Sequence, residues 1–137
     1  ADVIQEARLE SGLSFCEHFA QQVASWAAAD DLIGRNGYSA VGAVVAARNK
    51  EATARMRELM PQSIFLIPGY GAQGGTAADV GPAFKPDGTG ALVTASRSVI
   101  YAFSDPKYSA QFPDQWEKCV EQACKDFAAE IAGAIKK

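Results

Sequence analysis

The residues best suited to chemistry lie in two short stretches. One is the glycine-rich run Pro68-Gly69-Tyr70-Gly71-Ala72-Gln73-Gly74-Gly75, and the other, some twenty residues on, is Ser96-Arg97-Ser98. Glycines let backbone amides approach a ligand closely and take up positive φ. Arg97 adds a planar fork of donors whose geometry suits a phosphate. Gln73 places a neutral amide mid-run, able to bond a phosphate oxygen or another loop. Thr76 with Asp79 three residues later predicts a helix cap directly after the glycines, with the helix's amide end facing the same space. The combination points to anion binding; the plainer alternative is a tight turn beside a solvated arginine. Gly69-x-Gly71-x-x-Gly74 also matches the dinucleotide fingerprint. That reading wants an acidic residue at the end of the next strand to hold a ribose, and the chain has Thr94, Ser96 and Arg97 there. Only an NADP-type variant, with Arg97 on a 2′-phosphate, stays open.

These stretches need elements to position them. Ser14-Phe15-Cys16-Glu17 reads as a capping box, and Phe15, Phe19, Val23 and Trp26 recur at helical spacing as far as about Ala29. Tyr38 to Ala47 is nearly continuously apolar and predicts a strand covered on both faces. A second helix is expected from Asn49 or Lys50, with Ala52, Met56, Leu59 and Met60 on one face, stopping before Pro61. Ile64 to Ile67 reads as a buried strand that empties into the glycine run. Thr76 opens a helix to about Phe84, Lys85 to Gly90 is a turn, and Ala91 to Ala95 is a third strand ending at Arg97. The last helix is expected from about Asp114 to Lys136, with Trp116, Val120, Ala123, Phe127, Ile131 and Ile135 aligned.

Strands alternating with helices imply parallel pairing through right-handed crossovers. Both chemical stretches then fall at the carboxyl ends of adjacent strands, where ligands bind in such folds. Three parallel strands leave two edges open and cannot close a barrel. The expectation is a very small open sheet or a slice of a larger one, and an opening Ala in place of Met points to the slice.

Composition narrows the class. At 137 residues, 48% hydrophobic and 21% charged, the chain is one globular unit (1–137) or part of one, not a disordered tail. A net charge of −3 without basic runs argues against nucleic acid as a partner. No apolar stretch approaches the roughly 18–20 residues that span a bilayer, and ADVIQEARLE has no signal-like core. No membrane association and a cytoplasmic location are therefore expected. Cys16, Cys119 and Cys124 are odd in number and lack metal-type spacing, so reduced thiols and no metal site are expected.

IFLIPGYGAQGG, followed by ALVTASRSVIYA, resembles the carboxy-terminal part of the orotidine 5′-phosphate decarboxylase family. GYSAVGAVVAA and RMRELMP fit its longer, bacterial branch, and the resemblance runs across most of Ser11 to Phe103. It implies an α/β fold, the carboxy-terminal part of a (β/α)8 TIM barrel, with the three strands as barrel strands six to eight. It further implies a homodimer, no metal or organic cofactor, and conversion of orotidine monophosphate to uridine monophosphate and CO2. On the same resemblance Gln73 and Arg97 grip the nucleotide phosphate, Pro68 and Tyr70 line the entrance near pyrimidine and ribose, and Gly71, Gly74 and Gly75 belong to the loop that closes over the phosphate. Many relatives carry Gly where this chain has Ser96, whose amide is still available to the phosphate.

The family's catalytic signature, Asp-x-Lys-x-x-Asp, is not matched. The nearest approach is Asp105-Pro106-Lys107-Tyr108-Ser109-Ala110, with Ala110 where the second Asp would stand, and it reads as a turn. No catalytic residue is assigned within the chain, and the resemblance implies an amino-terminal portion of the same enzyme as the partner that supplies them.

Other residues read as structural. His18 belongs to the surface or its boundary, Cys119 and Cys124 pack as small hydrophobes on different faces, Glu121 and Glu130 lie on a solvated helix face, and Trp26 and Trp116 belong to the core. Two other functions fit the residues: a different phosphate-binding barrel enzyme, or a self-standing, non-enzymatic α/β module that binds a phosphate ligand or a partner.

Overall fold

A computed structural model describes residues 2–47, 49–68, 70–71 and 75–135. After a short helix α1 (Asp2–Gln5), helix α2 (Phe15–Ala27) starts where Ser14 caps it. Ser14 Oγ accepts from the Glu17 amide at 3.2 Å and the Glu17 carboxylate accepts from the Ser14 amide at 2.9 Å, the predicted box. Such a cap is worth about 1 kcal/mol. Strand β1 (Ala43–Val44) leads to helix α3 (Lys50–Leu59), capped by Asn49, and then to strand β2 (Phe65–Ile67). Helix α4 (Ala77–Val80) runs straight into a 3-10 turn at Gly81–Ala83. Strand β3 (Ala91–Val93) is followed by helices α5 (Arg97–Ile100), α6 (Pro106–Ser109) and α7 (Trp116–Ile135).

The three strands form one parallel sheet in the order β1-β2-β3, as the alternation predicts. Ala43 pairs with Phe65 and Phe65 with Ala91; one residue on, Val44 pairs with Leu66 and Leu66 with Leu92. Phe65 and Ile67 point into the helical layer and are fully sealed, together with Val80 and Ala83. Phe127 and Ile131 of α7 pack against this core. A full-sized aliphatic or aromatic side chain buried this way contributes about 2–3 kcal/mol.

The first strand is shorter and less covered than its apolar run predicts. Over 38–47 only Ala43–Val44 is strand, although Ser39, Ala43 and Val45 each donate a backbone bond to the β2 side, to Gln62, Ile64 and Leu66. At Gly42 the chain passes so close that a Cβ would stand 2.7 Å from the Ile64 carbonyl oxygen. The opposite edge of β1 meets no strand among the described residues, so the ladder stays one-sided. Val44 is 70% exposed, against the expectation of cover on both faces.

Both tryptophans are likewise outside the core. Trp26 meets the Phe19 ring edge-on at 6.5 Å and stays 56% exposed; Trp116 is 57% exposed. Their helical stripes are real, but nothing among the described residues covers that part of them. Cys119 is buried, whereas Cys124 is exposed, as is Cys16. His18 is exposed, in keeping with a surface role. Asp105–Ala110 is more ordered than a turn: Asp105 caps α6 by accepting from the Lys107 amide at 2.8 Å. Lys107 then pairs with Asp126 of α7 at 2.8 Å. No helix among the described residues is long and apolar enough to cross a membrane.

At the amino-terminal end of the sheet one side chain binds four carbonyls from three segments of chain. Arg57 donates to the carbonyls of Ala83, Met60, Ser63 and Gly90 at 2.7–2.9 Å, with its guanidinium 3.7 Å from the centre of the Phe65 ring. No sequence pattern flags this role, because the four acceptors are backbone atoms spread over 60–90.

Candidate functional site

The site is built at the other end of the sheet, where β2 and β3 leave side by side. Ile67 pairs with Val93, and the Thr94 amide donates to the Ile67 carbonyl at 3.0 Å, so the two exits start level. Pro68 follows β2 and is exposed. Beyond it the chain pinches: Tyr70 and Gly75 form a parallel bridge, and the Gly71 amide donates to the Gly75 carbonyl at 3.0 Å. Gly71 sits at φ +70°, a left-handed conformation that glycine takes without a Cβ penalty. A Cβ built there would lie 3.9 Å from Ser98 Oγ. The glycine segment and the Ser96-Arg97-Ser98 segment are therefore immediate neighbours. Gln73 and Gly74 lie outside the described residues, as does Gly69.

Arg97 opens α5 and is exposed, and no carboxylate among the described residues pairs with it. Ser96, the residue before it, makes no side-chain cap bond. An unpaired guanidinium beside a glycine segment is suited to an anionic ligand arriving from solvent.

Two site features differ from expectation. The amide end of α4 is not free: Asp79 accepts from the Thr76 amide at 3.0 Å and from the Thr76 hydroxyl at 2.6 Å, and these bonds hold its carboxyl below the usual range. With a carboxylate on it, this four-residue helix offers little to an anion. Tyr70 is not at the surface either: it is buried, with its ring 5.1 Å from that of Phe127. Burial first, and then the hydrogen bond and charge of Glu130, push its phenol well above the ordinary range, so it stays protonated. Phe127 thus backs the glycine segment from α7. Glu130 is exposed, as its place on a solvated face predicts.

No protein-family model matches the chain. It is 39% identical over 119 residues to an orotidine 5′-phosphate decarboxylase of Caldicellulosiruptor bescii, covering 87% of this chain and 37% of that protein. Its fold superposes on Leishmania donovani UMP synthase with a TM-score of 0.67 and 29% identity, over 98% of this chain and 25% of the other. On Leishmania donovani OMP decarboxylase the TM-score is 0.65 at 26% identity, over 99% of this chain and 44% of the other. The chain is a homologue of the orotidine 5′-phosphate decarboxylases. It spans about a third of the length of the curated decarboxylases it matches. The superposed region takes in nearly all of the chain.

Proposed function

We propose that this chain supplies the phosphate-binding part of an orotidine 5′-phosphate decarboxylase, the enzyme that converts orotidine monophosphate to uridine monophosphate and CO2 in pyrimidine biosynthesis. The observation that carries the reading is the adjacency of Gly71 and Ser98, which sets Arg97, unpaired among the described residues, beside the glycine segment at the carboxyl ends of two parallel strands. Residues 1–137 then form part of a single (β/α)8 barrel, contributing strands six to eight. The amino-terminal part of the same enzyme, as partner, closes the barrel and brings the catalytic residues, and the complete protein is a cytoplasmic homodimer that needs no metal or organic cofactor. The exposed row Val44, Leu66 and Leu92 supports the barrel, because those side chains would face its interior.

In this reading Arg97 and Gln73 bind the phosphate, Gly71, Gly74 and Gly75 let the backbone come close to it, Ser96 offers its amide, and Pro68 lines the entrance. Tyr70 acts from behind, through its backbone bridge to Gly75. The phosphate takes no part in bond breaking, so its binding energy can position the pyrimidine and be realised in the transition state. The test is CO2 release by the full-length protein supplied with orotidine monophosphate, set beside sugar phosphates as competing ligands. Turnover inhibited by uridine monophosphate supports the reading. Binding of sugar phosphates without turnover of orotidine monophosphate replaces it with another phosphate-binding barrel enzyme.

A further inference from the structure

Two neighbouring residues of α7 hold the two halves of the proposed site. Phe127 sets its ring 5.1 Å from that of Tyr70, the residue before Gly71. Asp126, next to it in the helix, gathers three side chains. The Lys107 ammonium donates to its Oδ2 at 2.8 Å, the Tyr108 hydroxyl to the same oxygen at 3.1 Å, and the Gln122 amide to Oδ1 at 2.8 Å. Lys107 also donates to the Tyr108 hydroxyl at 2.9 Å. Tyr108 itself is buried in a small core with Ala102 and, from α7, Cys119 and Ala123.

This network is joined to Arg97 by consecutive turns. Helix α5 (Arg97–Ile100) runs through Tyr101 into a 3-10 turn at Ala102–Ser104, and Asp105 then caps α6. The Ser104 amide donates to the Tyr101 carbonyl at 2.9 Å, and the Asp105 amide to the Ala102 carbonyl at 3.0 Å. No open loop separates Arg97 from Lys107, and α5 itself packs on α7. A shift at the α6 anchor is therefore passed to the segment that carries the guanidinium, while the glycine segment stays seated on Phe127.

We propose that Asp126 is a positioning residue for phosphate binding: by clamping Lys107 and Tyr108 to α7 it fixes where the Arg97 segment stands relative to the glycine segment. The inference rests on the functional reading above, in which Arg97 binds the phosphate. An ion pair this open to solvent adds little to stability. The Asp126 and Lys107 side chains are 34% and 57% exposed, so either can be replaced without opening the core. A small displacement of a charged donor from its ligand, by contrast, weakens binding directly.

The experiment uses the full-length protein containing this chain, with uridine monophosphate and uridine as competitive inhibitors of orotidine monophosphate turnover. Asp126→Ala and Lys107→Met are each expected to weaken uridine monophosphate about fivefold while leaving uridine within about twofold. With Arg97→Ala already in place, adding Asp126→Ala is expected to change uridine monophosphate by less than about twofold, because the group it positions is gone. Glu121→Ala breaks the exposed pair with Lys125 on the same helix and is expected to leave both inhibitors unchanged. The inference is overturned by equal losses for both inhibitors, by no loss for either, or by the same loss persisting in the Arg97→Ala background. A Glu121→Ala loss as large as that of Asp126→Ala overturns it too. Absence of turnover in the unsubstituted enzyme would overturn the functional reading and this inference together, whereas turnover with any of those four results overturns this inference alone.

Discussion

Leu66 and Leu92 stand in register on neighbouring parallel strands, and both are open to solvent, whereas Phe65 and Ile67 on either side of Leu66 are sealed. With Val44, 70% exposed on the next strand, they form a continuous apolar row on one face of the sheet. A row of this kind on a chain by itself invites association. The isolated 137-residue chain is expected to sediment as oligomers, and a variant with Thr at positions 44, 66 and 92 to shift towards monomer while keeping its helical circular dichroism. A monomeric unsubstituted chain would mean that the face is not sticky, and would favour the self-standing module.

Arg57 offers a second test, on stability. Its guanidinium satisfies four carbonyls from three separate segments and lies over Phe65. Removing it strands the Ala83 and Ser63 carbonyls, at about 1–3 kcal/mol for each group left unpaired, while Gly90 and Met60 still accept from the Phe65 and Ser63 amides. Arg57→Met is expected to destabilise the fold by about 3 kcal/mol or more. Arg57→Lys recovers only part, since one ammonium cannot span the fork. Urea unfolding midpoints measure both, and an unshifted midpoint for the Met variant would remove the clasp from the account.

For Arg97 the readout is kinetic. Without a carboxylate partner among the described residues, it contributes little to folding, so its substitution should act on ligand alone. Arg97→Ala in the full-length enzyme is expected to lower kcat/KM for orotidine monophosphate by about 10²–10³-fold, with unfolding unchanged. Gln73→Ala is expected to cost less, since a neutral amide makes the weaker bond. Near-unsubstituted kinetics for Arg97→Ala would remove the arginine from the site.

Gly71→Ala separates backbone conformation from space. A Cβ there meets Ser98 Oγ at an ordinary 3.9 Å, so the cost comes from φ +70°, at about 1–2 kcal/mol. Affinity for uridine monophosphate is expected to fall several-fold, measured as competitive inhibition. An unchanged inhibition constant would mean that the segment adapts without consequence.

The cap of α2 sets a pH dependence. The Ser14 amide first, and Arg55 after it, hold the Glu17 carboxyl at about 2 against an ordinary 4.5. A depressed acid contributes stability that is present above pH 4.5 and lost as pH falls towards about 2. The thermal midpoint of the protein should therefore drop more steeply across that window than that of Glu17→Gln. Parallel curves would show that the cap carries no such linkage.

Local signals carried much of this fold. Ser14 with Glu17, Asn49, and Thr76 with Asp79 place three helix starts where they occur, because caps depend on neighbours in sequence. The alternation of strands and helices likewise fixes the parallel order. Burial was less legible: Trp26, Trp116 and Val44 lie on apolar patterns, but a pattern says which face wants cover, not whether these residues supply it. In the site, the glycine run and Arg97 announced themselves by residue type. The backing by Phe127 and the Arg57 clasp did not, because each joins positions far apart along the chain through contacts that leave no periodicity.

The most direct measurement is a crystal structure of the full-length protein with uridine monophosphate bound. The account predicts the phosphate between the glycine segment and α5, with an oxygen within about 3 Å of the Arg97 guanidinium and another at a backbone amide of residues 71–75. A phosphate bound on any other face, with Arg97 turned to solvent, would contradict it.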